Sequence, residues 1–230
     1  MKSKFMVSIS AVLFPAMLIS SAVFAKSDLP EITEEGLHKV KDTELALVYA
    51  KEGVDLSVYD KVWLVETSVA FKKNWQRDQN RSYSHKVSAN DMKRIKSDLA
   101  ELFREVFAET LDEAGHELVS EPAEDVLIVR PAIVNLDVNA PDTRSVGRGY
   151  QFVESAGDMT LYVELYDSVT GDLLVKAMDR KADRRSSNFQ WQTKASNRAA
   201  AKRALQQWAD RLAAGLSEAQ NTVTGTDEDE

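Results

Sequence analysis

From Asp158 to Met178 the chain spells out a β-hairpin with one apolar face, and this pattern narrows the fold more than any other feature. Met159, Leu161, Val163 and Leu165 alternate with Thr160, Tyr162, Glu164 and Tyr166. Such a period of two belongs to a strand with one face buried. Asp167-Ser168-Val169-Thr170-Gly171-Asp172 supplies the turn, and Leu173 to Met178 returns as the next strand. A lone hairpin is marginal in water, so the apolar row needs cover from elsewhere in the chain.

Two amphipathic segments offer that cover. Met92, Ile95, Leu99, Leu102, Phe103, Val106 and Thr110 recur at threes and fours, one face of a helix over 88–114. Ser88 with Asp91 reads as a capping box, and Gly115 as the stop. Ala201, Leu205, Trp208, Leu212 and Leu216 form the stripe of a second helix, started by Thr193 or Ser196. Tyr59 to Phe71 alternates as another strand. Val126 to Val138 is β-rich, and Pro131 within it predicts an edge strand or a bulge there. Leu45 to Tyr49 adds a short strand, and 72–87 and 140–157 read as loops. The expected fold is α+β: a β-α-β-β-β-α two-layer sandwich, a mostly antiparallel four-stranded sheet with two helices on one face. A single domain would span 59–216, preceded by an extended segment 26–58 and followed by a disordered acidic tail 217–230.

The first 25 residues read as a secretory signal peptide. Lys2 and Lys4 precede an apolar run from Phe5 to Ile19, and Val23-Phe24-Ala25 suits cleavage after Ala25. The expected location is the periplasm. The chain has no cysteine, which removes disulfides, zinc–thiolate sites, iron–sulfur clusters and Cys nucleophiles from consideration. It also leaves no residue for a lipoprotein acyl group, so the exported protein is expected to be unlipidated. Loss of Lys2 and Lys4 takes the formal net charge from −8 to −10.

Several blocks resemble a known family. Gly36-Leu37 followed by Leu56-Ser57-Val58-Tyr59-Asp60-Lys61-Val62 looks like its opening. Asp125-Val126-Leu127-Ile128-Val129-Arg130-Pro131-Ala132, the turn 167–172 and Ala177-Met178-Asp179-Arg180 resemble its most recognisable blocks. The family is the bacterial envelope group catalogued as domain of unknown function 3313, and the resemblance covers about residues 30–216. It implies an envelope location and no particular activity. Many members look like lipoproteins, and this sequence departs from them in lacking the cysteine.

Charge is sorted along the chain. Residues 72–96 hold eight basic residues and two acids, 97–125 ten acids and Arg104, and 176–203 nine basic residues and two acids. Tracing the expected elements brings both basic segments to one end, with the acidic segment running down the first helix to the other. Cations near a helix N-terminus and anions near its C-terminus oppose the macrodipole, so local stability does not explain the pattern. The reading is an anion-recognising loop pole. Arg144, Arg148, Arg184, Arg185 and Lys194 are its candidate anion-binding residues, with Trp75 and Trp191 as apolar anchors. Two helix N-termini add unpaired N–H groups. A second candidate partner surface is the sheet face away from the helices, with Trp63, Tyr162 and Tyr166, unless residues 30–58 fold across it.

Enzymatic signatures are sparse. His38, His85 and His116 lie apart, and there is no nucleophile elbow and no phosphate-cradling loop with Lys. The expectation is a non-catalytic periplasmic binding or adaptor protein without a cofactor. Its partner would be an envelope protein, a lipid phosphate or peptidoglycan. Nucleic acid is not expected for an acidic exported chain. One alternative is a cell-wall glycan hydrolase using Asp137 and Glu164 as paired carboxylates. Another is a structural homo-oligomer pairing through an edge strand.

Overall fold

The computed structural model describes residues 29–82, 86–138, 151–153, 157–182, 190–192 and 194–224, with side chains for 29–81, 86–138, 157–181 and 197–221. In chain order the elements are β1 (His38–Lys39), β2 (Leu47–Ala50), β3 (Lys61–Leu64), β4 (Ser68–Phe71), α1 (Trp75–Ser82) and α2 (Ala89–Glu113). Then come β5 (Glu117–Leu118), β6 (Val126–Val138), β7 (Gln151–Val153), β8 (Gly157–Asp167), β9 (Leu173–Ala182), β10 (Gln190–Gln192) and α3 (Lys194–Thr224). Glu31–Glu230 forms one unit by its contacts. The signal segment lies outside the described residues.

Eight strands form one mixed sheet in the order β1-β2-β9-β8-β6-β3-β5, with β4 also on β6. The fold is α+β, but the expected four-stranded, mostly antiparallel sheet with two helices is overturned. β3, β4 and β5 join by parallel pairing, and a third helix, α1, occupies part of the expected loop 72–87. The reasons are local. β1 and β5 are two residues each, too short to show a period. The polar run of α1 conceals its inward face, which is Trp75 and Gln79 at i and i+4. β2 pairs with β9 and β1 with β2, so the N-terminal segment extends the sheet.

Pro131 sits in a central strand, contrary to the edge or bulge expected there. The carbonyl of Val129 accepts from the Val65 N–H. Residue 131 therefore presents its backbone to the same side of β6, two positions on. On that side the partner strand is interrupted between Leu64 and Ser68, so the missing N–H of proline falls where no ladder bond is made. The bulge lies further on: the β6–β8 register shifts between Val134 and Asp137, with Asn135 at φ 53°. Asn tolerates this left-handed conformation better than most residues.

α2 and α3 pack on the sheet face bearing Met159, Leu161, Val163 and Leu165. That face also presents Val62, Leu64, Leu127, Val129 and Ile133, and all of these are buried. Phe103, Val106 and Leu111 on α2, and Leu205, Trp208 and Leu216 on α3, close the core. Each large side chain so buried contributes about 1.5–3 kcal/mol. The α2 capping box is present: Ser88 Oγ accepts from the Asp91 N–H at 3.1 Å, and Asp91 Oδ2 accepts from the Ser88 N–H at 3.0 Å.

Candidate functional site

The sheet ends in a shared rim. Phe71 pairs with Leu136, Asp137 with Asp158, and Asp158 with Ala182. The finishing ends of β4, β6 and β9 therefore lie beside the start of β8. Beyond the rim, β7 and β10 pair antiparallel, with Trp191 opposite Phe152, and one residue separates β10 from α3. At the other end Ser168, in the β8–β9 turn, bonds to the backbone of Ala123. The acidic stretch and the hairpin turn thus share the opposite pole.

A cleft of about 270 Å³ opens at the rim, between the N-terminal halves of α2 and α3. Ile95, Leu99 and Leu102 of α2 line one wall, Leu136 and Met159 of the sheet the floor, and Ala201 and Ala204 of α3 the other wall. Apolar surface left facing such a cleft forgoes roughly 25 cal/mol per Å² that an occupant would recover. Gly157 at the rim is at φ 131°, and a Cβ there would come within 1.9 Å of the Asp137 carbonyl oxygen. Only glycine allows β8 to start so close to β6.

Charged groups ring the opening: four cations, Arg94, Lys181, Arg198 and Arg203, and three carboxylates, Asp98, Asp137 and Asp158. Arg94 Nη2 lies 3.2 Å from Asp91, Lys181 Nζ 3.2 Å from Asp179, and Arg198 Nη2 3.0 Å from Glu105. Lys72 pairs with Asp137 at 3.1 Å. Arg198 and Glu105 are each about half exposed, and such a pair is worth about 0–1 kcal/mol, so an incoming anion can compete for the arginine. The N-terminus of α2 is already closed by its capping box, which removes one of the two anion sites expected at helix starts.

The sequence-derived site residues divide accordingly. Arg144, Arg148, Arg184 and Arg185 lie outside the described residues. Lys194 is the first residue of α3, and Trp191 lies in β10. Trp75 is not an exposed anchor: it is 3% exposed and stacks on Phe71 at a centroid distance of 4.2 Å. The sequence missed the cleft itself, whose signal is the run of alanines at 199–201 and at 204 on α3.

The opposite sheet face carries a second cluster. Trp63, Tyr162 and Tyr166 are partly buried. The Tyr162 and Tyr166 hydroxyls donate to Glu164 at 2.8 and 2.7 Å, and Lys176 and Arg130 stand 3.9 and 3.7 Å from it. Lys176 also bonds to Glu35, so residues of the N-terminal segment reach onto this face. Burial first, then the Glu164 carboxylate, pushes the Tyr166 hydroxyl up to about 12 and raises Tyr162 as well. The Lys176 hydrogen bond holds Glu35 below the usual carboxylate range.

Asp137 and Glu164 do not form the carboxylate pair of the hydrolase alternative. Asp137 is level with Asp158 on β8. Glu164 is six residues further along the strand, roughly 20 Å at about 3.3 Å per residue. Glycosidase carboxylates stand about 5–10 Å apart. Among the described residues no group of three or more His, Asp or Glu could hold a metal ion, and no helix is long and apolar enough to cross a membrane. Both ends of the sheet path are two-residue strands, β1 and β5, which leaves little ladder for edge pairing.

A family model described as Protein of unknown function (DUF3313) matches residues 32–212. No curated protein matches. Among solved structures the chain is similar to a DUF330 protein from Xanthomonas campestris, with 13% identity, coverage of 74% of this chain and 90% of that one, and a TM-score of 0.39. It is also similar to a PelC dodecamer from Paraburkholderia phytofirmans, with 14% identity, 72% and 95% coverage, and a TM-score of 0.37. A DUF4136 protein from Bacteroides thetaiotaomicron gives 10% identity, 75% and 95% coverage, and a TM-score of 0.35. Likenesses this distant say nothing of activity or assembly.

Proposed function

The chain belongs to the DUF3313 family, and from that footing we propose that it is an exported, non-catalytic binding or adaptor protein whose basic pole holds an anionic component of the cell envelope. Export is read from the first 25 residues. The observation that carries the reading is convergence. The described ends of β4, β6 and β9 and the start of β8 meet at the rim, and Arg94, Lys181, Arg198 and Arg203 stand around one cleft there, interspersed with Asp98, Asp137 and Asp158. The chain leaves this rim after Val138 and Ala182, and the segments that follow carry Arg144, Arg148, Arg184 and Arg185. We assign those four arginines and Lys194 to contact the anion, with Trp191 beside them. A guanidinium fork suits phosphate and carboxylate alike, so the component is a lipid phosphate, a peptidoglycan carboxylate or an acidic protein surface.

The test is a pull-down from envelope extract at low and high salt. Wild type should recover a partner at low salt and lose it at high salt, because exposed charges are screened within about 10 Å at 0.1 M. A folded Arg144/Arg148/Arg184/Arg185-to-Ala variant should recover none. Equal recovery of the same partner by both proteins would overturn the reading.

A further inference from the structure

We propose that the cleft between the N-terminal halves of α2 and α3 takes the hydrocarbon chain of a single-chain anionic amphiphile, with its head group among the cations of the rim. This deepens the anion-binding reading and rests on it for the head group. The chain-binding part stands on the cleft alone.

The cleft has a cause in the sequence of α3. In the lower half of the interface Leu205, Trp208 and Leu216 fill the space between the helices and the sheet, each 2% exposed or less. In the upper half the same helix presents Ala200, Ala201 and Ala204. An alanine methyl does not span a gap of the size that the Trp208 indole fills. α2 keeps large apolar residues throughout, with Ile95, Leu99 and Leu102 facing the alanines. The result is an apolar slot, closed below by the core and open at the charged rim.

That chemistry selects its occupant. A ligand polar along its length would give up hydration against this lining with few partners in return. An uncharged chain would forgo Arg198, whose half-exposed pairing with Glu105 an anion can displace. A chain with an anionic head satisfies both regions. The volume of about 270 Å³ lies near the lower end of the roughly 300–1,000 Å³ of ligand pockets, which favours one chain over the two of a phospholipid.

Calorimetric titration of the purified protein with dodecyl phosphate below its micelle concentration tests the proposal. Dodecyl maltoside supplies the chain without the charge, and inorganic phosphate the charge without the chain. The expected result is one dodecyl phosphate per protein, with both controls at least tenfold weaker. An Ala201→Phe/Ala204→Phe variant, which fills the slot, should bind dodecyl phosphate at least tenfold more weakly. If that variant fails to fold, hydrogen exchange on the wild type replaces it: dodecyl phosphate should slow exchange in 95–102 and 200–207 selectively. Unchanged binding by the folded variant, or no selective protection, overturns the proposal. Salt-sensitive binding of inorganic phosphate with no gain from the chain overturns the cleft as a chain site and leaves the anion-binding pole standing. Equal affinity for dodecyl maltoside and dodecyl phosphate overturns the head-group assignment and counts against the pole itself.

Discussion

Glu164 shows how a single residue can look catalytic in a sequence and be structural in the fold. It is 8% exposed, and its two carboxylate oxygens are taken by the Tyr162 and Tyr166 hydroxyls. A buried carboxylate so satisfied stabilises through its bonds and is costly to strip of them. The tyrosines carry the measurable consequence. The ordinary tyrosine value is 10.0, whereas Tyr166 and Tyr59 are pushed up to about 12, mainly by burial and then by Glu164 and Asp167 respectively. The unfolded tyrosines ionise first, so the native state holds protons that the unfolded chain has released. Their contribution to stability is complete below pH about 10 and drains away as the pH climbs toward about 12. Urea unfolding across that window should show the decline, and Tyr166→Phe should shallow it while costing about 1 kcal/mol at pH 7 for the lost bond. A decline of the same slope in Tyr166→Phe would refute the assignment. At this scale the alternation of β8 announced which residues share a face. It could not announce that Glu164 is enclosed, because Arg130 beside it and Glu35, which holds the neighbouring Lys176, come from distant stretches of chain.

Among the elements, α2 was the most readable, since a long helix repeats its pattern many times and carries its own start signal. Ser88 and Asp91 form the reciprocal cap, and Asp91 also pairs with Arg94. Ser88→Ala removes one side of the box and should cost about 1 kcal/mol. Asp91→Ala should cost more, since the Arg94 partner is lost as well. Urea midpoints of the two variants check the order, and a larger loss in Ser88→Ala would contradict it. The β8–β9 hairpin was legible for the same reason: the turn is local, with the Asp167 N–H donating to the Asp172 carbonyl at 3.0 Å. The parallel pairing of β3 and β4 with β6 was not, because it depends on residues about 65 positions apart. Pro131 misled because a missing N–H matters only where a neighbour would accept from it, and that neighbour is interrupted at this point.

For the whole molecule the question is what ties the N-terminal edge, the sheet and α3 into one body, and Asp179 is the residue where all three meet. It belongs to β9, on the helix-facing side with Val175 and Ala177. Trp208 Nε1 of α3 donates to its carboxylate at 2.8 Å, and Arg211 of α3 stands 3.6 Å away. The Ala46 N–H, just before β2, donates to it at 3.3 Å. The sequence displayed Asp179 within a recognisable block but gave no hint of this role, because β9 reads from the pattern only as far as Met178. Its continuation to Ala182 is what turns Asp179 inward. Asp179→Ala leaves the buried indole N–H without its acceptor, while Arg211 keeps Glu44 at 3.0 Å, so the loss is about 1–3 kcal/mol for the unsatisfied buried donor. Asp179→Asn keeps an acceptor and should lose less. Hydrogen exchange distinguishes a hub from a simple helix anchor. In the hub case Asp179→Ala accelerates exchange in 47–50 and in 205–212 together, since β2 and α3 lose the same partner. Acceleration confined to 205–212 would mean that β2 is held by its ladder to β9 alone and that the N-terminal edge forms independently of α3.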